Sequence, residues 1–272
     1  MLPRPHFTTG WQRQGVLSLA GAVALHIVPM GVTKGAFMRV AIVENTRITH
    51  HGQVGVALHE VGALVDIWRP FADQRLPDGV DGFDALVVFG GEQSARDDHT
   101  HPYLPRLAAL MAQTTAAGKP VLGICLGAQI LARGFGGDNH LGTAPEFGWV
   151  DIGLTQTGRA DPVFAGVDLS FPIFQWHSDT FTLPAGSAHL ALSAGAVSQC
   201  FRIGAATYGM QFHFEASRAV VIDWTRTFPE ATERMQPGWA ATHQHRAATR
   251  GVVADAAGLQ IARNWVALIK QP

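Results

Sequence analysis

Cysteine is scarce in this sequence, which has only Cys125 and Cys200 among 272 residues. Two thiols cannot build a disulfide framework or a cysteine-based zinc site. Charge is also sparse, at 15% of residues with a formal net charge of −1, so no overall field would attract nucleic acid or an anionic membrane. We therefore expect a reducing, cytoplasmic compartment and a small-molecule substrate, with no nucleic-acid or membrane partner.

Thirteen histidines are present, but they do not follow the spacing of metal ligands. No His-Glu-x-x-His motif occurs, and His50-His51 and the pair His243 and His245 stand in polar contexts. These histidines are typical of solvated or structural positions. We expect neither a metal nor another cofactor.

Residues 1–37 differ from the rest of the chain, because they contain no acidic residue and carry an apolar stretch at 16–32. His26 and Pro29 interrupt that stretch, which is too short and broken to span a bilayer. A signal peptide, an amphipathic extension, or sequence upstream of a true start at Met38 would each explain the segment, and we favour the last. The predicted organisation is an N-terminal extension over 1–37 and one domain over 38–272.

From Arg39 onward, short apolar runs alternate with helical patterns. The continuous runs are typical of parallel strands covered on both faces. The pattern predicts an α/β domain with three layers, in which an open, mostly parallel sheet has helices on both faces. The predicted strands are 39–43, 63–68, 85–89 and 120–124, with helices at 54–61 and 102–117 and a third starting after Cys125.

The second half of the chain is richer in turns and indicates antiparallel or mixed pairing. Its predicted strands are 150–154, 173–176, 189–193, 199–203 and 207–214. Two helices are expected near the C-terminus, at 217–235 and 252–269, separated by a polar stretch. The sheet should therefore be mixed rather than purely parallel.

Cys125 lies where an apolar strand changes directly into a helical pattern, within Gly123-Ile124-Cys125-Leu126-Gly127. A sharp turn of this kind exposes the side chain, and the helix N-terminus favours a thiolate. The flanking glycines suit a turn that a β-carbon would obstruct. The pattern favours a nucleophile over the alternative of a small buried core cysteine.

His213 and Glu215 form a second candidate group on the predicted strand 207–214 and its end. Residues two apart on a strand share a face, so imidazole and carboxylate could meet there. A cysteine nucleophile needs such a base and a carboxylate to orient it. A buried structural histidine with a solvated glutamate is the better interpretation of this pair alone, but the pair together with Cys125 favours catalysis.

Gly90 and Gly91 follow the strand 85–89 at its carboxyl end, where open α/β sheets bind ligands. We expect Gly90 to line the substrate, and the N–H groups of Gly91 and Leu126 to form an oxyanion hole. An ordinary glycine turn explains this pair equally well when it is considered alone.

These three motifs, in this order, resemble the class I, triad-type glutamine amidotransferases, and the chain looks like a stand-alone member similar to the amidotransferase domain of GMP synthetase. The resemblance covers Met38 to the C-terminus and implies a flavodoxin-like fold. It also implies substrate-binding roles for Gln129 and for the segment containing His177 and Ser178. His177 is a rival base, but His213 is preferred because its carboxylate partner lies two residues away.

The resemblance implies hydrolysis of the γ-carboxamide of glutamine through a cysteine thioester. Ammonia would pass to a synthetase or acceptor subunit on another chain, since no P-loop motif occurs here. One alternative is a γ-glutamyl peptide or γ-glutamylated amine hydrolase with the same triad. Another is a non-catalytic regulatory subunit, for which Phe214 is the only hint, since the family usually has proline there.

Overall fold

The computed structural model describes residues 37–270. The predicted extension over 1–37 lies outside the described residues except for Phe37, so its nature stays a prediction. Among residues 37–270, no helix is both long enough and apolar enough to cross a membrane.

The first half of the domain alternates strands and helices as predicted, with boundaries within a few residues of those expected. In chain order the elements are β1 (Arg39–Val43), α1 (Gly52–Glu60), β2 (Leu64–Trp68), α2 (Pro70–Asp73), β3 (Ala85–Val88), α3 (Leu104–Ala116), β4 (Val121–Ile124) and α4 (Leu126–Gly134). Every residue of β3 and β4 is buried, which explains why these strands contain no polar side chain.

The second half is richer in strands. Its elements are β5 (Asn139–His140), β6 (Glu146–Leu154), α5 (Gln156–Arg159), a 3₁₀ turn (Pro162–Phe164), β7 (Ser170–His177), β8 (Thr180–Phe181), β9 (Ala188–Leu192), β10 (Cys200–Ile203), β11 (Thr207–Met210), α6 (Arg218–Thr227), α7 (Pro229–Met235), α8 (Trp239–Arg246), a π-helical turn (Ala247–Gly251) and α9 (Val252–Val266).

Within residues 37–270, nine strands form one sheet in the order β2-β1-β3-β4-β11-β10-β9-β6-β7, and β5 pairs separately with β8. The strands from β2 to β11 in this order run parallel. The remaining neighbours pair antiparallel. The prediction of a mixed sheet is confirmed.

The sheet separates two apolar cores. One core contains Val54 and Leu58 of α1 together with Ile261 of α9. The other contains Leu107 of α3 and Ile130 of α4. Helices therefore cover both faces of the sheet, and the predicted three-layer arrangement is confirmed.

The last predicted strand, 207–214, is shorter in the structure and ends at Met210. Its parallel neighbour β4 stops at the turn into α4, where the Cys125 N–H still donates to Met210 O. After Met210 the chain has no strand beside it on the side of β4, so it leaves the sheet. His213 makes only an isolated bridge to Phe174, and Glu215 lies in the turn that follows.

The predicted helix 217–235 is two helices, because Pro229 cannot continue the hydrogen bonding of α6 and instead begins α7. The stretch between the last two predicted helices, expected to be polar and non-helical, contains α8. Trp239 is the buried residue of α8, so the helix has no apolar stripe for sequence periodicity to detect.

Candidate active site

Cys125 occupies a strained turn between β4 and α4, with φ +52° and ψ −111°. A β-carbon on Gly123 would lie 2.4 Å from Gly127 O, and one on Gly127 would lie 2.1 Å from Val88 O, so only glycine fits at both positions. A positive φ at a residue with a side chain costs of order 1–3 kcal/mol. The tight packing on both sides holds Cys125 in this conformation.

The turn opens into a cavity of about 540 Å³ at the carboxyl ends of β3 and β4. All nine site residues predicted from the sequence line this one cavity. They are Gly90, Gly91, Cys125, Leu126, Gln129, His177, Ser178, His213 and Glu215. Within residues 37–270, no cluster of three or more His, Cys, Asp or Glu side chains could hold a metal ion.

His213 and Glu215 meet beside Cys125, although not by the strand spacing expected from the sequence. The turn after Met210 brings His213 Nδ1 to 2.7 Å from Glu215 Oε1, and both side chains are buried. The His213 N–H donates to Phe174 O at 2.8 Å, and Trp224 packs edge-on against the imidazole, which together fix the ring. A carboxylate at Nδ1 leaves Nε2 free for proton transfer.

The electrostatics of this group favour a protonated imidazole. Burial alone would lower the pKa of His213, but the charges of Glu215 and Cys125, with hydrogen bonds that the imidazole donates to both, hold that pKa well above its ordinary value of 6.5. A protonated imidazole places a proton donor beside the sulfur, which lies at the N-terminus of α4. The arrangement is suited to nucleophilic attack by sulfur.

Helix α1 supports Glu215 from behind. The Gln53 N–H donates to Glu215 O at 2.9 Å, and Gly52 lies so close that a β-carbon would be 1.9 Å from the same oxygen. Gly52 and Gln53 were not predicted as site residues, because nothing in their local pattern indicates contact with a residue so far along the chain.

Gly90 and Gly91 form the wall opposite the imidazole. A β-carbon on Gly90 would lie 3.3 Å from His213 Cε1 and 3.4 Å from Cys125 Cβ. One on Gly91 would lie 2.9 Å from Leu126 Cδ2. The glycine loop therefore lies close to the side chains of His213, Cys125 and Leu126.

Gln129 and Ser178 also line the cavity. Gln129 Nε2 donates to Gln211 Oε1 at 3.1 Å and contacts Asp179 O at 3.5 Å. The Ser178 carbonyl accepts from the Ala144 N–H at 2.9 Å. Hydrogen bonds within the protein thus hold the Gln129 side chain and the Ser178 backbone in place.

His177, the rival base, has both ring nitrogens directed to other groups. Nδ1 lies 3.0 Å from Asp179 O, and Nε2 lies 3.3 Å from Glu146 Oε2. Glu146 was not identified from the sequence, because it meets His177 only through the pairing of β6 with β7. These contacts support the preference for His213 as the base.

An aromatic wall completes the cavity. Trp176 packs against Trp224 and Phe228 with ring centroids 5.7 and 5.9 Å apart. Arg234 and Met235 of α7 also line the cavity. Aromatic rings therefore form part of the cavity lining.

A family model described as glutamine amidotransferase class-I matches residues 51–220. YfeJ of Salmonella typhimurium, a glutamine amidotransferase-like protein, is 34% identical over 157 residues, which are 57% of this chain and 66% of that protein. GMP synthase of Christiangramia forsetii is 29% identical over 144 residues, 52% of this chain but 26% of that enzyme. The chain thus spans less than two thirds of each of these relatives.

Among solved structures, a glutamine amidotransferase from Methylobacillus flagellatus superposes with a TM-score of 0.78 at 25% sequence identity. That match covers 87% of this chain and 97% of the other. With the family model matching more than half of the sequence, the chain belongs to the class I glutamine amidotransferase family.

Proposed function

We propose that this protein hydrolyses the γ-carboxamide of glutamine through a γ-glutamyl thioester on Cys125. The observation that carries the proposal is the convergence of three groups in one cavity: the sulfur on its strained turn, the His213 ring, and the Glu215 carboxylate 2.7 Å from that ring. Membership of the class I amidotransferases supports the same general chemistry.

In the proposed reaction, the Cys125 thiolate attacks the carboxamide carbon while His213 holds the proton taken from sulfur. The tetrahedral intermediate collapses when the C–N bond breaks, and His213 gives its proton to the departing ammonia. A water molecule, deprotonated by His213, then attacks the thioester and releases glutamate. Glu215 keeps the imidazole oriented and stabilises its positive charge throughout.

The N–H groups of Gly91 and Leu126 are proposed to stabilise the oxyanion of both tetrahedral intermediates. The proximity of the two residues supports this role, since a β-carbon on Gly91 would lie 2.9 Å from Leu126 Cδ2. Preorganised donors of this kind contribute about 3–4 kcal/mol each to the stabilisation of a transition state.

The ammonia acceptor is proposed to be a synthetase or acceptor subunit on another chain. GMP synthase, a relative of this chain, is much longer than the part that matches here, which supports the idea that further machinery lies outside the matched region. The two free cysteines support a reducing, cytoplasmic location.

The proposal is tested by measuring glutamate release from glutamine by the native protein and by Cys125→Ala. Cys200→Ala is the matched control, since this second thiol is fully buried and burial, aided by the charge of Asp161, raises its pKa well above 9.0. We expect activity and labelling by a glutamine-like electrophile to disappear in Cys125→Ala and to persist in Cys200→Ala. No glutamate release and no labelling in the native protein would instead favour a non-catalytic regulatory subunit.

A γ-glutamyl peptide or γ-glutamylated amine is a second candidate substrate, with the same triad. The cavity of about 540 Å³ and the wall formed by Trp176, Trp224 and Phe228 support it, because the ammonia of glutamine needs neither the space nor the apolar surface. A screen of glutamine against γ-glutamyl amines of increasing size separates the candidates. Higher kcat/KM for the larger amides would favour the second.

A further inference from the structure

Besides His213–Glu215, another buried histidine–carboxylate pair reaches the cavity: His177 lines it, and Glu146 lies behind His177. Glu146 begins β6 and stands directly across from His177, the last residue of β7. Both side chains are almost fully buried, and Glu146 Oε2 lies 3.3 Å from His177 Nε2. The carboxylate also accepts hydrogen bonds from Ser193 Oγ at 2.7 Å and from Gln199 Nε2 at 2.6 Å.

The neighbours of the His177 ring fix its position. Nδ1 faces a carbonyl oxygen, Asp179 O, which can only accept a hydrogen bond, so Nδ1 carries a proton. Nε2 faces the Glu146 carboxylate, which also accepts hydrogen bonds from Ser193 and Gln199. The contact at Nε2 is not aligned as a hydrogen bond, so the ring is held by the hydrogen bond at Nδ1 and by close approach to the carboxylate at Nε2.

This pair holds the segment that faces the nucleophile. Trp176 O lies 3.8 Å from Cys125 Sγ, and Asp179 O accepts from the His177 ring. Within the described part of the chain, the N–H groups of Ser178 and Asp179 have no hydrogen-bond acceptor. They lie in a segment whose residues line the cavity, so the position of its backbone decides what these N–H groups can bind.

We infer that Glu146 is a positioning residue: through His177 it fixes the 176–179 backbone against Cys125 and so sets the affinity of the cavity for substrate. This inference rests on the proposed amidohydrolase function. Glu146 acts on binding rather than on chemistry, since its nearest contact with the cavity is through the ring of His177, and His213 has its own carboxylate.

The test compares Glu146→Gln, which removes the charge at nearly constant volume, with the native protein. We expect KM to rise roughly ten- to hundredfold, because a misplaced binding segment costs about that factor, while kcat changes little. The rate of Cys125 alkylation by iodoacetamide, which needs only the thiolate, should be unchanged. Glu146→Asp keeps the charge on a shorter side chain and should restore KM in part.

Asp161→Asn is the matched control, because Asp161 is also a buried carboxylate, bonded to Tyr208 and Arg202, but does not line the cavity. It should lower stability and leave KM at the native value. An unchanged KM in Glu146→Gln, or a parallel fall of kcat and alkylation rate, would overturn the inference. If Glu146→Gln does not fold, Glu146→Asp decides, and a native KM in that variant overturns it.

A binding measurement separates this inference from the function on which it rests. In a Cys125→Ala background, calorimetric titration with glutamate should show weaker binding when Glu146→Gln is added, by the same factor as the rise in KM. A native protein that releases no glutamate contradicts the proposed function. If the native protein is active but Cys125→Ala binds glutamate equally well with and without Glu146→Gln, only the role of Glu146 is contradicted.

Discussion

Gly52 provides a sharp test of how the fold positions Glu215. In Gly52→Ala the new β-carbon would lie 1.9 Å from Glu215 O, whereas ordinary contact begins at 3.4 Å, so the carbonyl must retreat by about 1.5 Å. The 2.9 Å hydrogen bond from the Gln53 N–H would then break. Loss of that bond costs about 1–3 kcal/mol, and the positive φ of +48° adds about 1–2 kcal/mol for alanine.

Gly62→Ala is the matched control, since Gly62 follows the same helix with φ +67° and has open space where the β-carbon would go. Gly62→Ala should lower the free energy of unfolding by only about 1–2 kcal/mol, the cost of a positive φ for alanine. Gly52→Ala should lower it by roughly 2–5 kcal/mol. Urea denaturation measures both free energies of unfolding. In the folded fraction, displacement of Glu215 should lower kcat/KM for glutamine about hundredfold. Equal destabilisation of the two variants, with full activity in both, would refute this account of α1.

Three further changes have definite expected results. Glu215→Gln removes the charge that opposes the effect of burial on the pKa of His213, so that pKa should fall. The alkaline limb of the profile of activity against pH should then move to lower pH. The kcat should drop by about 10³–10⁴-fold, because the imidazole loses the carboxylate that orients it. The pKa of His213 is raised in the native fold, so the stability that its protonation contributes is complete below about pH 6.5 and declines as pH rises through the raised value. Urea denaturation at a series of pH values should show a weaker pH dependence of stability in Glu215→Gln than in the native protein. Gly123→Ala should lower the free energy of unfolding several times more than Gly82→Ala, because its β-carbon would lie 2.4 Å from a backbone atom while position 82 is open. Thermal unfolding of the two variants measures the difference. Phe228→Ala should reduce kcat/KM for a γ-glutamyl anilide more than for glutamine, and equal losses in a paired assay would argue against an aromatic site for the leaving group.

The sheet and its helices were predictable where burial is uniform. The continuous apolar runs of β1, β3 and β4 have a simple cause, since both of their faces pack against helices. Prediction was wrong where an element ends or is held by a single contact. β11 stops at Met210 because its neighbour turns away, and α8 is anchored by Trp239 alone, so neither feature has a periodic signal.

For the site, local sequence determined the chemistry available at each position. The glycines around Cys125 require a tight turn, and the two-residue spacing of His213 and Glu215 allows them to meet. Tertiary structure alone decided how they meet, through a turn supported by α1 rather than along a strand, and it alone brought Glu146 to His177. The reason is physical: spacing along the chain specifies only neighbours within one element, whereas contacts between elements depend on strand register and packing, which the whole fold determines.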